Sequence, residues 1–119
     1  MVPDAKRSIT ISAGPPRVRV RFAGQIIADS RGALALREAG YPPVLYLPRK
    51  DVNMNALAAS TRTSHCPHKG DARYWSIRSG ERESADAAWC YEAPLPAVAA
   101  IAGHVAFYPD RVDAIEIEA

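Results

Sequence analysis

At 119 residues the chain has the length of one domain, enough to bury a core without disulfides or a metal as staples. Hydrophobic residues make up 48% and charged residues 24%, an ordinary globular composition. The formal net charge of +2 is too small to argue for nucleic acid as a partner, and no apolar run is long enough to span a bilayer.

The opening stretch "MVPDAKRSITISAG" lacks the apolar core of a signal peptide, so the cytoplasm is the expected compartment. The two cysteines, Cys66 and Cys90, are far apart and form no disulfide framework; both are expected as thiols. Ten prolines punctuate short apolar stretches, which predicts a β-rich domain of many short elements. "RVRVRF" (Arg17 to Phe22) alternates strictly and predicts a strand with Val18, Val20 and Phe22 on one face and three arginines on the other. The arginine stripe either holds an acidic ligand or is the solvated face of a half-buried sheet, and the second is favoured. Ala23-Gly24 is a hairpin-like turn into "QIIADS". "ALALRE" (Ala33 to Glu38) fits strand or helix, with strand favoured by the hairpin spacing, and "PVLYLP" (Pro43 to Pro48) is a strand bounded by prolines.

Asp51 then stands where an N-cap would, and Val52, Met54, Leu57 and Ala58 offer a loose helical face, predicting a short helix from Val52 to about Ala59. Strands are predicted over Ala72 to Arg78 and Ala85 to Glu92, with a polar turn between them. "PAVAAIAG" begins with proline and ends in glycine, as a short helix does. A strand through Phe107, a turn at Pro109-Asp110 and a last strand close the chain.

Three places carry candidate chemistry. His65, Cys66, His68, Cys90 and His104 are the possible soft metal ligands, but only Cys66 and His68 form a close pair, whereas a structural zinc takes two such pairs; no metal or other cofactor is expected. In "CPHKG", Cys66 is biased to extended backbone by Pro67, Lys69 follows three residues on, and Gly70 permits a tight turn. An ammonium beside a thiol favours thiolate, so Cys66 with Lys69 is a candidate nucleophile; the plainer reading is a buried small side chain. In "YLPRKD", Arg49 and Asp51 follow a proline-ended strand at the expected helix start, where a guanidinium can take a carboxylate or phosphate in two parallel bonds; the plainer reading is a surface pair. Tyr74 and Trp75 are adjacent, so one faces the core and the other a rim or pocket. Tyrosines on a concave sheet face suit a small ligand, and no basic-aromatic stripe is dense enough for single-stranded nucleic acid.

In order along the chain, "FAGQIIADS", "ALALREAGYPPVLYLPRKDV", "CPHKGDARYWS", "ADAAWCYEAP" and "IAGHVAFYPDRVD" resemble the family known as domain of unknown function 427, from about Arg17 to Asp113. The resemblance implies a single small, mainly β domain of the β-tent kind, like methionine sulfoxide reductase B, with one or two short helices. Tent relatives often hold zinc in paired Cys-x-x-Cys motifs; this chain has none, so a zinc-free version is implied. An aromatic is commoner in the family where His68 stands, which also argues against a ligand there. The family sometimes carries a nucleotidyltransferase label, yet no Gly-Ser turn with paired aspartates and no glycine-rich phosphate loop occurs here. Tyr46, Arg49, Asp51, Cys66, Lys69, Gly70 and Trp89 match the family's motifs. The first expectation is therefore a domain binding a small polar or anionic ligand in a pocket lined by Tyr46, Arg49 and the Cys66 to Gly70 turn, with Asp51 and Trp89 beside it. The second is an enzyme using Cys66 as nucleophile or redox centre with Lys69 as its activator. The third is a non-catalytic interaction module, with an edge strand as a route to a homodimer.

Overall fold

The computed structural model describes residues 8–119; the first half of the N-terminal stretch read against a signal peptide lies outside them. Among the described residues ten strands form two antiparallel sheets. They are β1 (Ile9–Ala13), β2 (Arg17–Phe22), β3 (Gln25–Ser30), β4 (Leu34–Glu38), β5 (Val44–Pro48), β6 (Leu57–Cys66), β7 (Gly70–Ser79), β8 (Arg82–Cys90), β9 (His104–Phe107) and β10 (Ala114–Glu118). The larger sheet has seven strands in the order β1-β4-β5-β9-β8-β7-β6, and the smaller has three in the order β10-β2-β3. No helix among the described residues is long and apolar enough to cross a membrane.

Alternation in β2 sets how the small sheet packs. Val18, Val20 and Phe22 are buried against Leu47, Ile77, Val105 and Phe107 of the large sheet, forming the core between the sheets. The arginines of β2 point outward and meet carboxylates on both neighbours: Arg17 Nη2 lies 2.7 Å from Asp29 Oδ2, and Arg21 Nε lies 2.9 Å from Glu116 Oε1. The stripe is thus a solvated, cross-strand-paired face: β10 sets Glu118 opposite Arg17 and Glu116 opposite Arg19, and Arg21 reaches Glu116 on the diagonal. Ala23 and Gly24, at φ 52° and 77°, make the tight β2–β3 turn that a right-twisted hairpin favours. Ala23 tolerates this conformation because its N–H donates to Asp113 Oδ2 at 2.7 Å, an oxygen that also receives Arg82.

A second apolar cluster lies on the opposite face of the large sheet. It contains Leu36, Tyr46, Tyr74, Trp89 and Tyr91, covered in part by Val98 and Ile101 from a 3-10 segment over Pro96–Ile101. Trp75 packs between the sheets and Tyr74 faces this second cluster, the split that adjacent strand positions require.

The helix expected over Val52 to Ala59 does not form. Two 3-10 turns, Arg49–Asp51 and Met54–Ala56, lead directly into the ten-residue strand β6. Asp51 caps no helix; its Oδ2 accepts the Ser30 hydroxyl at 2.7 Å, and Val52 bridges to Ala28. β6 is an edge strand of small and polar residues whose order comes from its register with β7, from Leu57↔Ile77 to Cys66↔Gly70, and not from alternating hydrophobicity. Pairing with a buried neighbour outweighs a weak local helical pattern there.

Candidate functional site

The second cluster does not fill the face it occupies. A hollow of about 550 Å³, within the range of small-molecule sites, opens over β4, β5, β7 and β8. Its floor is Tyr46, Trp89 and Tyr91, its walls include Leu36, Val44 and Tyr74, and Tyr41 and Tyr108 stand at the rim. The aromatic groups brace one another. Trp89 Nε1 donates to Tyr46 Oη at 3.3 Å, with the rings edge to face, and Tyr108 lies against the Trp89 ring at a centroid distance of 4.3 Å. Tyr74 Oη and Ser64 Oγ are hydrogen-bonded at 2.8 Å. Burial pushes the Tyr46 phenol up to about 12, against a smaller opposing effect of the Trp89 bond. It pushes Tyr108 up to about 12 and Tyr91 higher still. All three phenols are therefore neutral at physiological pH and present O–H groups to the hollow.

One end of the hollow is polar. Cys66 closes β6, the Lys69 N–H donates to the Cys66 carbonyl at 3.2 Å, and this turn swings Lys69 back across the thiol. Lys69 Nζ lies 3.7 Å from Cys66 Sγ and 2.9 Å from Glu38 Oε1. The Lys69 and Glu38 side chains are only 12% and 9% exposed, so this is a largely enclosed ion pair in the wall of a cavity. Glu38 was not among the candidates read from the sequence. Its signal was there: in β4 it shares a strand face with Leu34 and Leu36, and a carboxylate at the end of an inward stripe needs a cation.

Gly70 does not touch the hollow; it holds the turn. Its φ of +116° is accessible to glycine, and a Cβ there would lie 3.5 Å from the Ala93 carbonyl oxygen and Pro94 Cα, beside the bond from Leu95 N–H to the Lys69 carbonyl. Gly70→Val is expected to cost about 1–3 kcal/mol through backbone strain, read by urea denaturation.

The structure joins Tyr46, Cys66, Lys69 and Trp89 and leaves Arg49 and Asp51 out. The expected pocket lined by Tyr46, Arg49 and the cysteine turn is corrected accordingly. After Pro48 the chain turns, so that the Arg49 guanidinium lies 5.3 Å from the Trp75 ring centroid, on the side of the sheet away from Tyr46. It shares Glu92 with Arg73, at 3.3 and 3.4 Å, and Arg73 covers the same indole. This is a surface stack over a core tryptophan. Arg49→Ala is expected to change stability by less than about 1 kcal/mol in thermal denaturation. Asp51 borders a different, open depression with Arg17, Arg31 and Lys50.

Of the other sulfur and imidazole groups, Cys90 is buried between the sheets, and burial pushes its thiol up to about 11. His65 is exposed and pairs with Asp71 at 2.7 Å. Among the described residues no three His, Cys, Asp or Glu side chains gather as they would to hold an ion.

No curated protein matches the chain. A family model described as a domain of unknown function, DUF427, matches residues 10–118. That match spans β2 to β10 completely and all of β1 but its first residue, together with every side chain around the hollow, so the protein belongs to the domain of unknown function 427 family.

Proposed function

We propose that the hollow binds a small, flat, largely apolar molecule with one polar end, its body against Tyr46, Trp89 and Tyr108 and its polar end at Lys69, Glu38 and Cys66. The charge of the lining carries this reading. Lys69, the one cation among the described residues of the lining, is already paired with Glu38 at 2.9 Å, and burial keeps the Tyr46, Tyr91 and Tyr108 phenols protonated. An anionic guest gains the ammonium but meets the carboxylate, whereas a neutral head group that both donates and accepts satisfies both partners. Of the polar or anionic ligand expected from the sequence, the neutral polar kind is therefore preferred.

Thermal-shift titration with benzamide, phenol and benzoate tests this. The two neutral compounds are expected to stabilise the protein and benzoate to do so less. Tyr108→Ala, which removes a rim ring while leaving the floor, is expected to abolish the effect; Arg49→Ala is expected to keep it. Undiminished stabilisation of Tyr108→Ala would overturn the assignment.

One observation favours a second reading, in which Cys66 is a nucleophile or redox centre: its sulfur lies in the same hollow, 3.7 Å from an ammonium. Because Cys90 is fully buried, iodoacetamide labelling of the native protein reports Cys66. A labelling midpoint well below the free-thiol value of about 8.5 supports this reading, and one at or above it counts against it.

A further inference from the structure

The large sheet is incompletely zipped. β5 and β9 are in register only at Leu47↔Val105 and Pro48↔His104. Further along, Val44 to Tyr46 pair with β4 alone, while Ala106 and Phe107 pair with β8 alone. A proline stands just outside each strand at this end, Pro43 before β5 and Pro109 after β9, and proline has no N–H with which to extend a ladder. The ladder stays open here, and Trp89, on β8 opposite Ala106 of β9, lies beside it.

Behind the seam, on the other face of the sheet, lies a second cavity of about 240 Å³. It sits between the two sheets and is bounded by Val18, Val20, Leu45, Leu47, Phe107 and Ile115, with no charged side chain in its lining. Pro43, Val44, Trp89 and Pro109 line both this chamber and the tyrosine hollow, so the two are neighbours across one partition. Ile117, 57% exposed, stands at the chamber's outer edge. Interiors are otherwise packed with few voids larger than water, and an apolar cavity of about 150 Å³ already takes up benzene. A chamber walled by apolar side chains offers water few partners.

We propose that the two cavities are one bipartite site, and that its ligand carries an aliphatic chain. The inference rests on the binding reading above and extends it: the polar-ended ring lies in the tyrosine hollow, and the chain passes Trp89 at the β5–β9 seam into the chamber between the sheets. The ligand class is a ring or short polar head bearing a hydrocarbon tail, with no charge at the tail end. The head sets orientation through Lys69 and Glu38, and the tail supplies most of the affinity through burial.

Isothermal titration with phenol, 4-ethylphenol, 4-butylphenol and 4-hexylphenol tests the chamber separately from the hollow. Affinity is expected to rise roughly tenfold for every two methylenes until the chamber is full. Ile115→Trp, which fills the chamber from the small sheet at a partly exposed position, is expected to flatten the series while leaving phenol itself bound as before. Leu45→Trp fills the same space from the large sheet and serves if Ile115→Trp does not fold. A flat series in the unaltered protein, with phenol bound, overturns the bipartite site and leaves the hollow's reading standing. A series that stays steep in the folded filling variant also overturns it. Binding of none of the four compounds overturns both readings.

Discussion

Between pH 9 and pH 12 the protein is expected to lose most of its stability, far more steeply than exposed tyrosines would produce. Four groups are held protonated by the fold: burial pushes Cys90 from 9.0 up to about 11, Tyr46 and Tyr108 from 10.0 up to about 12, and Tyr91 higher still. The unfolded chain releases these protons from about pH 9 to 10, while the folded chain keeps them until about 11 to 12 or beyond. Across that window the native state binds more protons than the unfolded state, so stability falls as pH rises. Below pH 9 the contribution is fully present. For the two most buried groups, Cys90 and Tyr46, a displacement of this size is worth on the order of 2–3 kcal/mol each. That is a large part of the ~5–15 kcal/mol that holds a typical protein folded. Urea melts at half-unit pH steps measure the slope. Cys90→Ala is expected to remove the earliest part of the fall, between about pH 9 and 11. A stability that stays level to pH 11 would show that these groups are not enclosed as described.

Lys69→Met is expected to destabilise the protein by about 1–3 kcal/mol, the cost of taking the ammonium from the Glu38 carboxylate 2.9 Å away in a largely enclosed wall. Adding Glu38→Gln in the same chain is expected to recover part of that loss, because a neutral amide needs the ammonium less than a carboxylate does. Chemical denaturation of the single and double variants gives both numbers. The single variant also removes the lysine from a lining that keeps its carboxylate, so benzylamine is expected to bind Lys69→Met more tightly than the unaltered protein. A loss under 1 kcal/mol in the single variant would mean the pair is in effect a surface pair.

The sequence exposes the fold most clearly where period and punctuation agree. "RVRVRF" carries its burial in its own alternation, and the proline-bounded "PVLYLP" can be little else than a strand. β6 is different: "LAASTRTSHC" has no apolar period, and its conformation is dictated by β7, twenty residues from its start in pairing order. Asp51 fits the pattern of a cap, yet its side chain is engaged by Ser30, a partner no local pattern reveals. The candidate site divides on the same line. Cys66, Lys69, Tyr46 and Trp89 sit in motifs whose turn and strand geometry fixes their direction. Arg49 lies one residue past a strand, where a 3-10 turn chooses the side, and strand parity stops being a guide. Glu38 meets Lys69 only through the joining of β4 to the β6–β7 turn, a long-range event, and it is this pairing that favours the neutral member of the polar or anionic ligands expected from the sequence.

The outward arginines of β2 have a consequence for how other molecules approach. Each is matched within 4 Å by an acid from β3 or β10, which makes that face a checkerboard of alternating sign instead of a positive plate. Alternating charges cancel beyond about one Debye length, roughly 8–10 Å at ordinary salt. A passing polyanion therefore meets no attractive field from that side, and encounters there are governed by plain diffusion, almost indifferent to ionic strength.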